Sequence, residues 1–509
     1  MMNQNLNQNV FAAAATTAAN MTTTENGHAA ASTTGDALLD LYGQVGALRG
    51  QDEARIFALF DRAVADDKLL AAKLLFYTRD ARGGVGERDL FRKLAKYAAE
   101  KYPELLVNNL ELFPEFGRWD DLYALADTQL GKAAFRTLHN QYLLDICRVN
   151  TEEPISLVGK WLKSCNASSP ETKRLGKLTA KQFGLDEKTY RQGLAALRNR
   201  IRIVETQMSK GEWDEIEYEK LPSKAGLQYR EAFKRHDEER YNGYLEAVKN
   251  GEKKINAKMN TPQDLVHAYF SRPGSVSGSE DPTIEAMWKN LPDYIHSDEN
   301  ILCMVDVSGS MYGRPIEVST GLGMYFAQHN RGAFHNLFMT FESMPRFCKL
   351  DDEKSFRENL SNVFDAPWGG STDLNCACES MLDFAIRNHV PQKDMPTRLI
   401  IISDMEIDKA VGQWGCRDFS NILHVDELRQ MYERAGYSMP QVIYWNVESR
   451  DNHFQTGSDV PGTMLASGSS PAVFEAVMAM KDLEITPYMA MLEVLNGPRY
   501  EAVTVASQA

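Results

Sequence analysis

Three oxygen-bearing side chains, Asp306, Ser308 and Ser310, follow at i, i+2 and i+4 directly after the apolar run Ile301-Leu-Cys-Met-Val305. On a turn leaving a strand, that spacing lets alternate side chains converge on one point, and open α/β sheets bind ligands outside the carboxyl ends of their strands. Two more segments offer donors of the same kind. Trp368-Gly-Gly-Ser-Thr372-Asp373 supplies a hydroxyl on glycine-rich backbone, and Ile401-Ile-Ser-Asp404 sets a carboxylate at the end of another apolar run. Hard oxygen donors without clustered His or Cys suit Mg²⁺, Mn²⁺ or Ca²⁺ better than Zn²⁺. The competing reading is that Asp306, Ser308 and Ser310 only cap the helix that follows, since Asp and Ser are favoured N-caps. Thr372 and Asp404, arriving in order at strand ends, weigh for the metal.

Two kinds of element must position these residues. From Ala37 to about Phe270 the apolar residues recur at helical spacing, as in Ile56, Leu59, Phe60 and Ala63. Turn signals such as Arg82-Gly-Gly-Val-Gly86, Tyr102-Pro103 and Phe116-Gly117 cut the helices short, which suits helical hairpins stacked as a HEAT-like α-solenoid. No clean internal period supports the repeat beyond helix length and spacing. The stretch Ser271-Arg-Pro-Gly-Ser-Val-Ser-Gly-Ser279 reads as a connector. Beyond it, the apolar runs Ile301–Val305, Leu337–Phe341, Leu399–Ile402 and Val442–Trp445 alternate with amphipathic segments, the pattern of a mostly parallel, doubly wound sheet. The expected organisation is multidomain: a disordered Ala/Thr/Asn-rich tail over 1–35, an all-α domain over 36–270, a linker over 271–284 and a Rossmann-like α/β domain over 285–509.

The 509 residues suffice for more than one hydrophobic core. No stretch approaches the ~18 consecutive apolar residues of a membrane span. Seven cysteines are too few and odd in number for a secreted disulfide framework, and the N-terminus lacks the basic and apolar regions of a secretory signal. A cytoplasmic protein is expected. The formal charge of −14 argues against indiscriminate binding to nucleic acid, and most of it lies from Asn300 onward, where 16 basic and 27 acidic residues leave −11.

One basic track stands out. Between Lys160 and Arg202 eleven Lys and Arg residues face only Glu171, Asp186 and Glu187, a local excess of +8. On a helix predicted over 188–208, Arg191, Arg198 and Arg202 share one face at i, i+7 and i+11, and Leu194, Leu197, Ile201 and Val204 form the opposite stripe. With Lys181 and Lys188 these arginines are the candidate contacts to an RNA phosphate backbone. The plainer alternative is a solvated basic face paired with acidic neighbours such as Glu212, Asp214 and Glu217. The loop Arg79-Asp-Ala-Arg-Gly-Gly-Val-Gly-Glu-Arg88 lacks the strand context and lysine of a P-loop and reads as a turn between helices.

Asp-x-Ser-x-Ser after an apolar strand, then a loop Thr, then a strand-terminal Asp, resembles the metal-ion-dependent adhesion site (MIDAS) of von Willebrand factor type A domains. The resemblance implies that Asp306, Ser308, Ser310, Thr372 and Asp404 hold a divalent cation, Mg²⁺ or else Mn²⁺ or Ca²⁺, with one coordination position open to a ligand oxygen. A helical array before such a domain resembles the TROVE, or Ro autoantigen, proteins. Closer still, Tyr77-Thr-Arg-Asp-Ala-Arg-Gly-Gly-Val-Gly-Glu-Arg88, Phe116-Gly-Arg-Trp-Asp-Asp-Leu122, Ser403-Asp-Met-Glu406 and Tyr444-Trp-Asn446 are similar to a little-characterised family related to TROVE. The implied function is a non-enzymatic, metal-dependent binding scaffold of Ro-like, ribonucleoprotein type. Its helical region would engage structured RNA, and its A domain would grip an acidic protein partner or a phosphate. The alternative is a metal-dependent protein–protein adaptor without nucleic acid. A metal-dependent hydrolase, drawing on Asp373, Glu406 and Asp408, is the remote third reading.

Overall fold

A computed structural model describes residues 20–272, 275–295, 299–340, 346–365, 374–407, 425–470, 472–480 and 484–507. The chain forms two compact units, one α/β and one helical. The α/β unit takes residues 1–52, 261–279 and 293–494, and the helical unit takes 53–260, 280–292 and 495–509. The architecture expected from sequence, a helical region together with an α/β sheet domain, is therefore present, but the chain passes between the two units more than once.

The α/β unit is built on six strands: β1 Ile301–Val305, β2 Leu337–Thr340, β3 Arg346–Lys349, β4 Arg398–Ser403, β5 Gln441–Asn446 and β6 Thr463–Ser467. Their order across the sheet is β3-β2-β1-β4-β5-β6, with all neighbours parallel except the β2/β3 edge pair. This is the order of a doubly wound sheet, and it reverses direction at β1/β4. Every residue of β1, β4, β5 and β6 is buried. Because successive side chains of a strand point to opposite faces, unbroken burial means that both faces are covered, which is why these strands read as continuous apolar runs. The helix Arg314–His329 joins β1 to β2 and is buried along most of its length.

Sequence reading locates β1, β2, β4 and β5 to within a residue or two and misses β3 and β6. Strand β3, Arg-Phe-Cys-Lys, is largely exposed at the antiparallel edge and carries no apolar run. Strand β6, Thr-Met-Leu-Ala-Ser, is buried but short and flanked by small polar residues.

The described part of the expected disordered tail is ordered. Met21–Thr23 and Ala29–Ala31 pair as an antiparallel hairpin, and Ala31 bridges to Phe454. Buried hydrogen bonds compensate for its lack of large apolar side chains: Thr34 donates through its amide and hydroxyl to Asp40, each at 2.7 Å. The helix Ala37–Tyr42, expected in the helical domain, belongs to the α/β unit. There Gly46 lies so close to the end of β6 that a Cβ would stand 2.5 Å from the Ser467 carbonyl oxygen. The described part of the expected linker is ordered too. Phe270–Arg272 pairs with Ser275–Val276 in the α/β unit, and the helix Pro282–Lys289 packs in the helical unit, where Thr283 shares a hydrogen bond with Tyr241.

The helical unit is a set of short helices, among them Glu53–Asp66, Lys68–Arg79, Arg88–Lys101, Gly131–Arg148, Pro170–Gln182 and Glu187–Ile201. Phe76, Phe91, Phe113 and Phe116 form its aromatic centre, with ring centroids 5.2–6.0 Å apart. The C-terminal residues return to this unit rather than continuing the α/β domain. Tyr500 stacks on Phe116 at 5.5 Å, and Arg499 forks onto Asp80 at 2.8 and 2.9 Å.

The Arg79–Arg88 loop is thereby explained as structure. Arg79 points inward to Asp121, and Asp80 is buried beneath Arg499 and Tyr500. Gly84 is required by close approach, because a Cβ there would lie 2.3 Å from the Tyr77 carbonyl oxygen. Gly84→Ala is expected to cost about 1–3 kcal/mol through forced backbone displacement. The urea midpoint of the helical unit reads this, and an unchanged midpoint would mean that the loop yields freely.

Candidate metal centre

Asp306 follows β1 and Asp404 follows β4, the adjacent pair at which the sheet order reverses. The register aligns Val305 with Ile402, and the Asp306 amide donates to the Ile402 carbonyl at 2.9 Å. The two carboxylates therefore emerge side by side at the carboxyl edge of the sheet.

Asp306 is fully buried. Its Oδ1 accepts the Ser308 amide at 2.9 Å and its Oδ2 accepts the Ser403 hydroxyl at 2.6 Å, while Ser319 donates to its carbonyl at 3.1 Å. The Ser308 and Ser310 hydroxyls lie 3.0 Å apart. Ser308 is the N-cap residue of the short turn Gly309–Met311, yet its side chain makes no capping hydrogen bond. Ser308 therefore does not cap this turn, and among the described residues the one side-chain bond from the motif to its own backbone is that of Asp306 to the Ser308 amide.

Asp404 accepts the Glu406 amide on Oδ1 at 3.1 Å, but its Oδ2 is buried and takes no hydrogen bond among the described residues. Burial, and then the neighbouring Asp306 charge, push the Asp404 carboxyl up to about 7. Two adjacent buried carboxylates, one with an oxygen that takes no hydrogen bond among the described residues, together with the paired Ser308 and Ser310 hydroxyls, form a donor set that fits a hard divalent cation. Thr372, the fifth expected ligand, lies outside the described residues, as do Asp373 and Asp408. Among the described residues no cluster of three or more His, Cys, Asp and Glu is placed to hold a metal. Any cation here must draw on hydroxyls as well as on the two carboxylates.

A second layer, of which the sequence reading singled out Glu406 alone, surrounds this centre. Met405 adopts the left-handed region at φ 65°, a conformation that costs a non-glycine residue energy and needs support from its surroundings. The N-terminal hairpin supplies part of that support. Thr24 donates to the Ile407 carbonyl at 2.6 Å, the Glu25 amide to Glu406 Oε2 at 3.0 Å, and Asn26 to the Glu406 carbonyl at 3.1 Å. His453 Nδ1 meets Glu406 Oε1 at 2.7 Å, and this hydrogen bond raises the imidazole's affinity for its proton. Arg450, in the turn after β5, lies with Nη2 3.5 Å from Asp404 Oδ2, is held by Glu448 at 2.8 Å, and donates to the Ser310 carbonyl. The only sequence signal for Arg450 is its position just beyond a strand's carboxyl end.

The basic track in the helical unit is less uniform than its sequence suggests. The helix ends at Ile201, Arg202 takes a left-handed conformation at φ 51°, and a second helix starts at Val204. The predicted single helix over 188–208 is thus broken, and Arg202 does not continue the Arg191 face. Arg198 is turned inward, donating to the Gly159 carbonyl, the Ser164 hydroxyl and the Leu162 carbonyl at 2.8–3.0 Å. It fastens two segments together and has little left for a phosphate. Several other cations are paired, including Lys163 with Asp120 and Arg174 with Asp127 and Glu171. Lys181, Lys188 and Arg191 are exposed and form no ion pair among the described residues.

The fold and site together define a two-unit protein in which a helical unit accompanies a doubly wound α/β unit bearing an acid-and-hydroxyl centre. The chain belongs to the family of the domain of unknown function DUF2828, whose family model matches residues 24–145 and 158–299. A second model, the domain of unknown function DUF7788, matches residues 300–494 and so spans the whole sheet. The chain is also similar to the uncharacterized protein L728 of Acanthamoeba polyphaga mimivirus, at 26% identity over 517 residues, covering 94% of this chain and 88% of the viral protein. Among the described residues no helix is long and apolar enough to cross a membrane.

Proposed function

We propose that this protein is a non-enzymatic, divalent-cation-dependent binding scaffold. Its α/β unit is read as von Willebrand A-like, with Asp306, Ser308, Ser310, Thr372 and Asp404 holding Mg²⁺, or else Mn²⁺ or Ca²⁺. The observation that carries this reading is the Oδ2 of Asp404, buried beside Asp306 at the switch point of the sheet with no hydrogen bond among the described residues and with the Arg450 guanidinium 3.5 Å from it. A bound cation would neutralise the two carboxylates and offer an open position to a carboxylate or phosphate oxygen of a partner. The strand order 3-2-1-4-5-6 supports the A-like assignment.

The helical unit is the proposed RNA-binding part, in the manner of TROVE proteins, and the molecule is read as a cytoplasmic ribonucleoprotein component. Support comes from Lys181, Lys188 and Arg191, the exposed cations of the track. Replacing all three with alanine is expected to weaken structured RNA uniformly across sequences and to flatten the salt dependence of binding by about three phosphate contacts. Arg198→Ala is expected instead to lower stability without that change in slope. Filter binding at several salt concentrations separates the two.

The deciding experiment is co-purification of wild type and Asp306→Ala with their cellular ligands. RNA retained by both variants supports RNA binding by the helical unit and leaves the cation centre for a second ligand. A protein partner lost only from Asp306→Ala, with no RNA present, replaces this reading with a metal-dependent protein adaptor.

A further inference from the structure

The guanidinium of Arg450 occupies an unusual position for a cation site. Its Nη2 lies 3.5 Å from Asp404 Oδ2 and donates to the carbonyl of Ser310, so a fixed positive charge abuts two of the proposed ligand residues. It does not hang there loosely. Glu448 takes Nε at 3.1 Å and Nη2 at 2.8 Å, which sets the plane of the fork. Nη1 makes no hydrogen bond among the described residues, and the side chain is 29% exposed, so one donor edge remains available to a ligand.

We propose that Arg450 makes this centre a receptor for a divalent cation and an oxyanion together, each of which it binds weakly alone. This inference rests on the divalent-cation reading of the site. A cation entering between Asp306 and Asp404 meets a like charge one ligand layer away, which opposes its binding. Glu448 offsets part of that charge from its place on Nε and Nη2, and leaves Nη1 without a hydrogen bond among the described residues. An oxyanion at the open coordination position touches both positive centres and removes the repulsion between them. Arginine suits this role, since its planar fork matches carboxylate and phosphate oxygens and it stays charged at every physiological pH. Linkage then requires the effect to be mutual, the anion tightening the cation by the same factor as the cation tightens the anion.

The test is calorimetric titration of the full chain with Mg²⁺, alone and in the presence of sulfate, with acetate as the carboxylate arm. In wild type, sulfate is expected to tighten Mg²⁺ by about five- to a hundredfold, the usual range of coupling between two ligands. Acetate should do so to a lesser degree. Arg450→Gln should bind Mg²⁺ alone more tightly than wild type and lose the sulfate effect. These opposite signs separate the role from a structural one, because a damaged site would weaken both. Where Arg450→Gln does not fold, Arg450→Lys keeps the charge without the fork and should bind Mg²⁺ as wild type does, with a smaller sulfate response. An undiminished sulfate response in either variant overturns the proposal. Wild type that binds Mg²⁺ without any response to sulfate or acetate overturns it alone, whereas wild type that binds no Mg²⁺ under any condition overturns the cation reading beneath it.

Discussion

In EDTA at pH 8, Asp404→Asn is expected to be more stable than the wild-type protein, and in Mg²⁺ at a large excess over the wild-type Kd it should gain nothing while the wild type is stabilised. The first half follows from the cost of the native carboxylate. Burial and the adjacent Asp306 push Asp404 up to about 7 from its ordinary value of 3.8. Between those values the native state holds a proton that the unfolded chain has lost. The native state therefore binds more protons, and stability must fall as pH rises through that window. Above pH 7 the native protein carries the full penalty of two buried like charges, on the order of a few kcal/mol. Asparagine is neutral at every pH and removes it.

The second half follows because a ligand that binds only the native state stabilises it by mass action. The gain is about 2.7 kcal/mol at a hundredfold excess over Kd, or several degrees in the melting of a unit this size. Calorimetric scans at pH 5 and pH 8, in EDTA and in Mg²⁺, read all of these at once. Metal-free wild type should melt higher at pH 5 than at pH 8 through this group, and the asparagine variant should lose that contribution. A Mg²⁺ shift that survives in Asp404→Asn would show that the cation binds elsewhere.

Asp121→Ala is expected to be among the most destabilising single changes in the helical unit, at about 3–5 kcal/mol. The carboxylate is fully buried and serves three donors: Arg79 Nε at 2.7 Å, Arg92 Nε at 2.7 Å and the Arg118 amide at 2.9 Å. Arg79 is itself 4% exposed, so truncating Asp121 strands a guanidinium where water cannot reach it. Asp120 beside it pairs with Arg92 at 3.0 Å and Lys163 at 3.2 Å, too far along the turn to stand in. Removing both partners should hurt less than removing one. Arg79→Leu in the Asp121→Leu background is expected to restore part of the loss, since much of the cost lies in the unpaired charge. Urea titrations of the single and double variants measure the coupling, and strictly additive losses would mean that the pair is not desolvated as its burial implies.

The same buried network shows why the glycine- and arginine-rich segment over 79–88 and the segment over 116–122 stand out in the sequence without being a phosphate-binding loop. Arg79 and Asp121 are turned inward to each other and Asp80 to the C-terminal Arg499 and Tyr500, whereas Arg82 and Arg88 are exposed. A sequence records that such residues are present. It does not record that Arg79 and Asp121, 42 positions apart, spend their charges on each other.

The features legible from residue order alone are local and periodic. The apolar runs at 301–305, 337–341, 399–402 and 442–445 read as strands of a sheet covered by helices, because little that is polar interrupts them, and Asp306 and Asp404 fall at the carboxyl ends of two of them. Helical spacing likewise marks the stretch from Ala37 to about Phe270. Tertiary structure alone decided which segments share a unit. The hairpin at 21–31 reaches the Asp404 loop through hydrogen bonds to residues 406 and 407, some 380 positions away, and residues 495–507 return to the helical unit. It also decided the fate of individual cations: Arg198, read as exposed, is spent on carbonyls within its own unit, and Arg450, hidden in a turn, is brought to the carboxylate pair. The reason is physical. Backbone periodicity and strand burial are set by neighbours in sequence, whereas a polar side chain takes whatever partner packing delivers, and for Thr24, Arg79 and Arg450 that partner lies far away along the chain.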